Sequence, residues 1–215
     1  MPTSVRLLIA TSNPGKIRDF HGAAANFGVT VEPVPEFDRI PAAIESGATF
    51  DENARIKAEH YSHLVPGEIV LADDSGLSVD ALDGRPGVHS ARYAAMQRGD
   101  TSHTNSDDDE NNQVLIAELE KLAPELRTGK FVCVIAAARD GHSLRTFHGE
   151  APGLLLTIPH GTNGFGYDPL FYFPALGKTF AELTPQEKAL YSHRGAAFRK
   201  VLEWLTDDGS LPGHY

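Results

Sequence analysis

Asp73 and Asp74 stand side by side at the end of an apolar run, residues 69–72, and are followed at once by Ser75 and Gly76. The run itself has no polar face to give to water, which is the pattern of a short buried strand. Two acids cannot continue unpaired into a dry core, so the strand is expected to stop there and open onto solvent, a cation or a partner. Gly76 offers the backbone freedom for a sharp turn that would hold both carboxylates at the rim of a cleft. Neighbouring carboxylates cannot both ionise cheaply unless a cation sits between them, and acids at a strand mouth are a common beginning for a metal site. The plainer alternative is a strand-ending turn in which Asp serves as a side-chain acceptor.

Four further stretches carry residue types suited to a phosphorylated ligand. Thr11-Ser12-Asn13-Pro14-Gly15-Lys16 forms a tight loop between an expected strand and an expected helix. A helix start presents N–H groups and a positive dipole end, so this loop is either an anion cradle or a capped helix start with a solvated lysine. It is not a Walker A loop, because Ala10 replaces the first glycine and Ile17 stands where a metal-holding Ser or Thr belongs. Glu45 ends a loop just before a helix, where it can reach a shared ion or be solvated. His160 to Asp168 contains Gly161, Gly164 and Gly166 with Phe165 and Tyr167, so an aromatic face can lie against a flat ligand with Asp168 as an acceptor at its edge. Finally, Lys188 lies on a helix that precedes Ser192-His193-Arg194-Gly195, and Gly195 would let the backbone approach a ligand closely.

The elements that must position these groups follow from periodicity and caps. Strands are expected over 5–10, 29–34, 130–139, 143–150 and 170–173, with Asp140-Gly141 as a hairpin turn. Ile17, Phe20 and Ala24 mark one face of a helix over about 15–26. Thr49 to Glu52 and Thr184 to Glu187 are capping boxes. The first opens a helix to about residue 64, on which Asn53 and Lys57 share a face. Ser106 is expected to cap a helix over 107–122, whose acidic first turn suits the dipole better than a metal. Phe198, Val201, Leu202 and Leu205 mark a last helix, with a frayed tail from about 206.

A chain of 215 residues with 41% hydrophobic composition suffices for one domain or two small lobes. A formal charge of −10 repels a bare nucleic-acid backbone, although a small polyphosphate arriving with a divalent cation is compatible with it. No stretch approaches the roughly 18 apolar residues of a membrane span, and a cytoplasmic location is expected. Cys133, the sole cysteine, lies in an apolar run and is expected to be a packed thiol.

With these pieces laid out, the chain resembles the inosine triphosphate pyrophosphatase family, the Ham1-like enzymes that act on deaminated purine nucleoside triphosphates. The motifs that carry the resemblance run almost end to end: Thr11 to Lys16, Glu45-Ser46-Gly47 with Phe50 to Lys57, Asp73 to Leu77, Pro86-Gly87 with Ser90 to Tyr93, Gly164 to Pro169, and Ser192 to Gly195. The resemblance implies a single domain of α/β fold, an elongated mixed sheet with helices on both sides and two lobes around a nucleotide cleft. It also implies a homodimer, a requirement for magnesium, and cleavage between the α and β phosphates. Carried over residue by residue, Asp74 would be the proton acceptor and a metal ligand, and Glu45 a second metal ligand. Thr11, Ser12, Asn13, Pro14, Gly15, Lys16 and Ser75 would hold the triphosphate. Phe165, Gly166, Tyr167, Asp168, Lys188, His193 and Arg194 would form the base pocket.

Hypoxanthine and xanthine carry an oxygen at position 6 and a proton on N1, so donors such as Lys188 or Arg194 at the first and Asp168 at the second would fit. Adenine reverses both, and a site built for such bonds disfavours the reversed pattern by about 10⁴-fold. Guanine shares the favourable edge, so its rejection must come from position 2. Three rivals are weighed. Asp74-Ser75-Gly76 after an apolar pair matches one loop of an aspartic protease, which needs two such loops and an all-β fold. A non-catalytic nucleotide sensor would need no activated water. A Maf-type pyrophosphatase is similar in fold and reaction but lacks the His193-Arg194 motif.

Overall fold

The computed structural model describes residues 5–25, 27–100 and 104–207. The expected tail beyond 207 lies outside them. Among the described residues no helix is long and apolar enough to cross a membrane. The described residues form one seven-stranded sheet in the order β2-β1-β3-β4-β5-β6-β7. These strands are β1 (Val5–Ile9), β2 (Val29–Pro33), β3 (Val70–Val79), β4 (Thr128–Arg139), β5 (His142–Leu155), β6 (Phe171–Phe173) and β7 (Lys178–Thr179). The helices are α1 (Pro14–Ala24), α2 (Phe50–Ser62), α3 (Tyr93–Gln97), α4 (Asp108–Leu119), α5 (Pro185–Tyr191) and α6 (His193–Asp207). β1 pairs in parallel with β2 and with β3, Leu8 opposite Val70 and Ile9 opposite Leu71. β6 is antiparallel to both β5 and β7. The sheet is therefore mixed, as expected, with parallel pairing at the β1 end and antiparallel pairing at the other.

By internal packing the chain divides into two compact units. The first comprises Met1–Asp74, Cys133–Gly149 and Ala189–Tyr215, and the second Ser75–Val132 and Glu150–Lys188. In the first unit, successive side chains of β1, β3 and β4 go to opposite faces, as the two-residue period of a strand requires. Leu7, Ile9, Leu71, Cys133 and Ile135 pack with Phe20 of α1 and with Ala197, Phe198 and Val201 of α6. Leu8, Val70, Ala72, Val134 and Ala136 pack with Ala54, Ala58 and Tyr61 of α2. Burial on both faces explains why residues 69–72 and 131–138 lack polar alternation. Cys133 is fully buried, and burial pushes its thiol up to about 12. The second unit has its own core of Leu77, Leu115, Phe131, Phe171, Phe180 and neighbours.

Local signals account for most boundaries. Thr49 and Glu52 make the reciprocal capping box at the head of α2, and Thr184 and Glu187 bond in the same way at α5. Asp140 and Gly141 both take left-handed backbone angles, φ 52° and 81°, between β4 and β5, as a two-residue hairpin turn demands. The cap of α4 differs from expectation. Asp107, not Ser106, accepts from the Asp109 N–H, while the Ser106 hydroxyl is engaged by the Ala95 N–H.

The larger correction concerns β3. The strand does not stop at Asp73 and Asp74 but runs on through Ser75 and Gly76 to Val79. Gly76 makes no turn. A Cβ placed there would lie 2.3 Å from Ser90 Oγ and 2.5 Å from the Gly87 carbonyl oxygen, so the glycine admits the segment that carries Ser90. That hydroxyl accepts from the Leu77 N–H at 2.9 Å and donates to the Gly87 carbonyl at 2.6 Å. Gly76→Ala is therefore expected to destabilise by about 1–3 kcal/mol through overpacking, measured as a lower urea midpoint. An unchanged midpoint would show that the close approach matters little.

Candidate active site

The acids that continue into the sheet are paired, each on its own face. On β3, Val70, Ala72 and Asp74 look toward α2, and Leu71 and Asp73 toward α1 and α6. Asp74, 7% exposed, accepts from Lys57 Nζ at 2.7 Å and from Asn53 Nδ2 at 3.4 Å, both on α2. Lys57 Nζ also donates to Glu45 at 3.0 Å. The Asn53 amide oxygen accepts from the Gly47 N–H at 2.8 Å, which ties the Glu45 loop to the helix that faces Asp74. Asp73, 3% exposed, accepts instead from Arg194 of α6 at 3.0 Å and pairs with Lys16 of α1 at 3.0 Å. Arg194 reaches Asp19 as well, at 2.7 Å. The expectation of one cation between two neighbouring carboxylates is thus replaced by separate cations on opposite faces of a strand.

The two environments push the carboxyls in opposite directions. At Asp73 burial would raise the pKa, but the charges of Lys16 and Arg194 overcome it and hold the group well below the usual carboxylate range. At Asp74 burial prevails over Lys57 and Lys16, and the pKa lies above the ordinary value. Burial also works against the Lys57 ammonium, yet Asp74 and Glu45 more than compensate and keep it charged. Two adjacent acids, one locked as a structural anion and one shifted toward proton exchange, is the separation expected where one carboxylate acts as a base.

The Thr11–Lys16 loop is a capped helix start in its backbone and an ionic contact in its side chain. Asn13 caps α1 by accepting from the Lys16 N–H at 3.0 Å, Pro14 takes the first helical position, and Thr11 Oγ1 accepts from the Asn13 N–H at 3.2 Å. Ser12, Asn13 and Pro14 are exposed, Thr11 and Gly15 buried, and Ser75 half-buried on β3. Arg194, assigned by resemblance to the base pocket, has its guanidinium in the Asp73 and Asp19 cluster of the first unit. His193, buried, is the first residue of α6. Gly195 meets its own chain and not a ligand, since a Cβ there would lie 2.0 Å from the Ala189 carbonyl oxygen.

In the second unit, Asp168 and Lys188 are buried and pair at 2.5 Å. Asp168 also accepts from the Phe165 N–H at 2.9 Å, and the Lys188 ammonium lies 4.9 Å from the centroid of the Phe165 ring. Tyr167 is turned into the scaffold, its hydroxyl donating to the Ser90 carbonyl at 2.9 Å. An aromatic face, a donor and an acceptor thus stand together.

The sequence alone puts Asn53 and Lys57 on one face with no role assigned, and it does not single out Asp19. The signal for Lys57 lay in its position among Ala54, Ala58 and Tyr61, since a lysine on a buried face must meet an anion. Asp19 sits beside the apolar face of α1 with no pattern to mark it. Among the described residues no three His, Cys, Asp or Glu side chains group to hold a metal. Two carboxylates, Glu45 and Asp74, do converge on one cationic point.

A charged site on a central strand of a mixed sheet, with helices on both faces, defines an α/β protein and removes the all-β aspartic protease. A model of the Ham1 family matches residues 7–204. The chain is 47% identical over 202 residues to a dITP/XTP pyrophosphatase of Acidobacterium capsulatum, covering 94% of this chain and 98% of that one. It is 44% identical over 204 residues to the enzyme of the same name from Yersinia pseudotuberculosis, at the same coverage. Among solved structures it superposes on a HAM1 protein from Coxiella burnetii with TM-score 0.78 and 38% identity, covering 94% of this chain and 99% of the other. A nucleoside-triphosphatase / dITP/XTP pyrophosphatase from Mycobacterium abscessus gives TM-score 0.66 at 34% identity, covering 94% and 98%. The chain belongs to the Ham1 family.

Proposed function

We propose that this protein hydrolyses deaminated purine nucleoside triphosphates, ITP, dITP and XTP, to the monophosphate and pyrophosphate, and so clears them from the nucleotide pool. The observation that carries the reading is the convergence of Glu45 and Asp74 on Lys57, at 3.0 and 2.7 Å. Two hard carboxylate donors are too few for a closed protein cage, but they suit magnesium, which keeps several waters and shares its remaining positions with substrate phosphates. In this reading Glu45 and Asp74 would hold the ion, which would supply charge neutralisation at the phosphate oxygens. Asp74 accepts the proton of the attacking water as the new P–O bond forms and the oxygen bridging the α and β phosphates departs with its group. Lys57, with Glu45 and Asn53 around it, keeps Asp74 oriented. Lys16, Thr11 and the start of α1 receive phosphate oxygens, with Ser12, Asn13, Pro14 and Gly15 around them and Ser75 proposed as a further donor.

The groups suited to reading the base lie in the second unit. A lactam edge, carbonyl next to N–H, is the complement of an ammonium next to a carboxylate, which is what Lys188 and Asp168 offer beside the Phe165 ring. Adenine presents the reverse pattern. Assembly as a homodimer, which rests on the resemblance, and a cytoplasmic location are part of the proposal. The test is a panel of nucleoside triphosphates with magnesium, followed by pyrophosphate release. ITP and XTP are expected to exceed ATP and GTP in kcat/KM by at least about tenfold, and EDTA to abolish turnover. A flat panel would remove the substrate assignment.

A further inference from the structure

We infer that Asp108 and Asn112 of α4 form a clamp on the peptide groups of Gly166 and thereby set the affinity for the base. The inference rests on the reading of Phe165 and Asp168 as base-recognising groups. Asp108 and Asn112 are one helical turn apart and share a face. Asp108 Oδ2 accepts from the Gly166 N–H at 2.7 Å, and Asn112 Nδ2 donates to the Gly166 carbonyl at 3.0 Å. Both polar groups of one residue are held, and that residue directly follows Phe165 and lies two before Asp168.

Packing does not do this job. Gly166 has a left-handed φ of 60°, and among the described residues no heavy atom beyond its chain neighbours lies within 4 Å of where its Cβ would stand. Side-chain packing therefore does not hold Gly166; its own peptide groups are held by these two hydrogen bonds, while Phe165 and Asp168 are joined to each other by the Phe165 N–H bond at 2.9 Å. Among the described residues the buried Asn112 amide oxygen makes no hydrogen bond, so the polar contact of this side chain is the one through its donor. The acidic first turn of α4, which sequence alone assigns to helix electrostatics, thus has a second use through Asp108. Asp108 and Asn112 act through the Gly166 backbone on Phe165 and Asp168, which makes them positioning residues.

A positioning role separates from general loosening by a ligand that has a phosphate tail and no base. The experiment measures kcat and KM for ITP, and the inhibition constant of tripolyphosphate, in wild type, Asn112→Asp, Asp108→Ala and Asp108→Asn. Asn112→Asp replaces the donor by a carboxylate facing a carbonyl oxygen and is expected to raise KM for ITP by about tenfold, with kcat within about twofold. Asp108→Ala is expected to raise KM several-fold, and Asp108→Asn, which retains an oxygen acceptor, to recover most of that loss. Tripolyphosphate inhibition should be unchanged throughout. Should Asn112→Asp fail to fold, Asp108→Ala at the exposed helix end carries the test. Wild-type KM in the variants, or a tripolyphosphate constant that rises in step with KM, would overturn the clamp alone. Absence of ITP turnover in the wild type would overturn the substrate reading and the clamp with it.

Discussion

Asp74→Asn is expected to fold like the wild type and to lose about 10³-fold in kcat on ITP, the size of effect that removing a general base produces. The amide keeps the shape and an oxygen for Lys57, which retains Glu45 as a second partner, so the scaffold is not disturbed. The same geometry gives a pH dependence. Without metal, burial raises the Asp74 pKa despite Lys57 and Lys16; magnesium at Asp74 would favour the carboxylate, so the acid limb of kcat/KM should move to lower pH as magnesium is raised. Stability runs the other way. A carboxyl whose folded pKa exceeds its unfolded one favours the native state at low pH and loses that contribution as pH rises through the folded value. Asp74→Asn should therefore be no less stable than wild type near neutrality, while nearly inactive. A non-catalytic sensor would instead keep its function in this variant.

Asp73→Asn should do the opposite, costing the fold about 3–5 kcal/mol because it removes the carboxylate that compensates two buried or half-buried cations. Asp73 and Arg194 side chains are each 1% exposed where they meet, so solvent does not screen the loss. The sign of the pH dependence follows from a depressed folded pKa. The stabilisation is fully present above the unfolded value near 3.9 and disappears as pH falls through the folded one. The difference between variant and wild type in urea unfolding should thus be full at neutral pH and shrink below about pH 4. A difference under about 1 kcal/mol at neutral pH would mean that Arg194 is adequately held by Asp19.

The contrast between these neighbours shows what was legible in the sequence and what was not. Helix starts at Thr49 and Thr184, the Asp140-Gly141 hairpin and the continuous apolar runs all depend on residues within a few positions of one another, and they appear where local chemistry places them. The extent of β3 could not be read in that way. Asp73 and Asp74 look like a strand end because their compensating charges, Lys16, Lys57 and Arg194, are remote in sequence. Once those charges are present, period-two alternation sends one acid to each face and the strand continues. Gly76 resembles a turn glycine for the same reason, since what it accommodates is Ser90. The role of Arg194 likewise turns on Asp19, 175 positions away. Motif spacing located the charged groups, but their pairing is a property of the tertiary fold.

The measurement that bears most directly on the central claim is a phosphorus NMR spectrum of ITP incubated with magnesium and either the wild type or Asp74→Asn. The wild type should yield IMP and pyrophosphate with no IDP, and the variant should leave ITP intact over the same interval. Formation of IDP and orthophosphate, or equal turnover by the variant, would contradict the account.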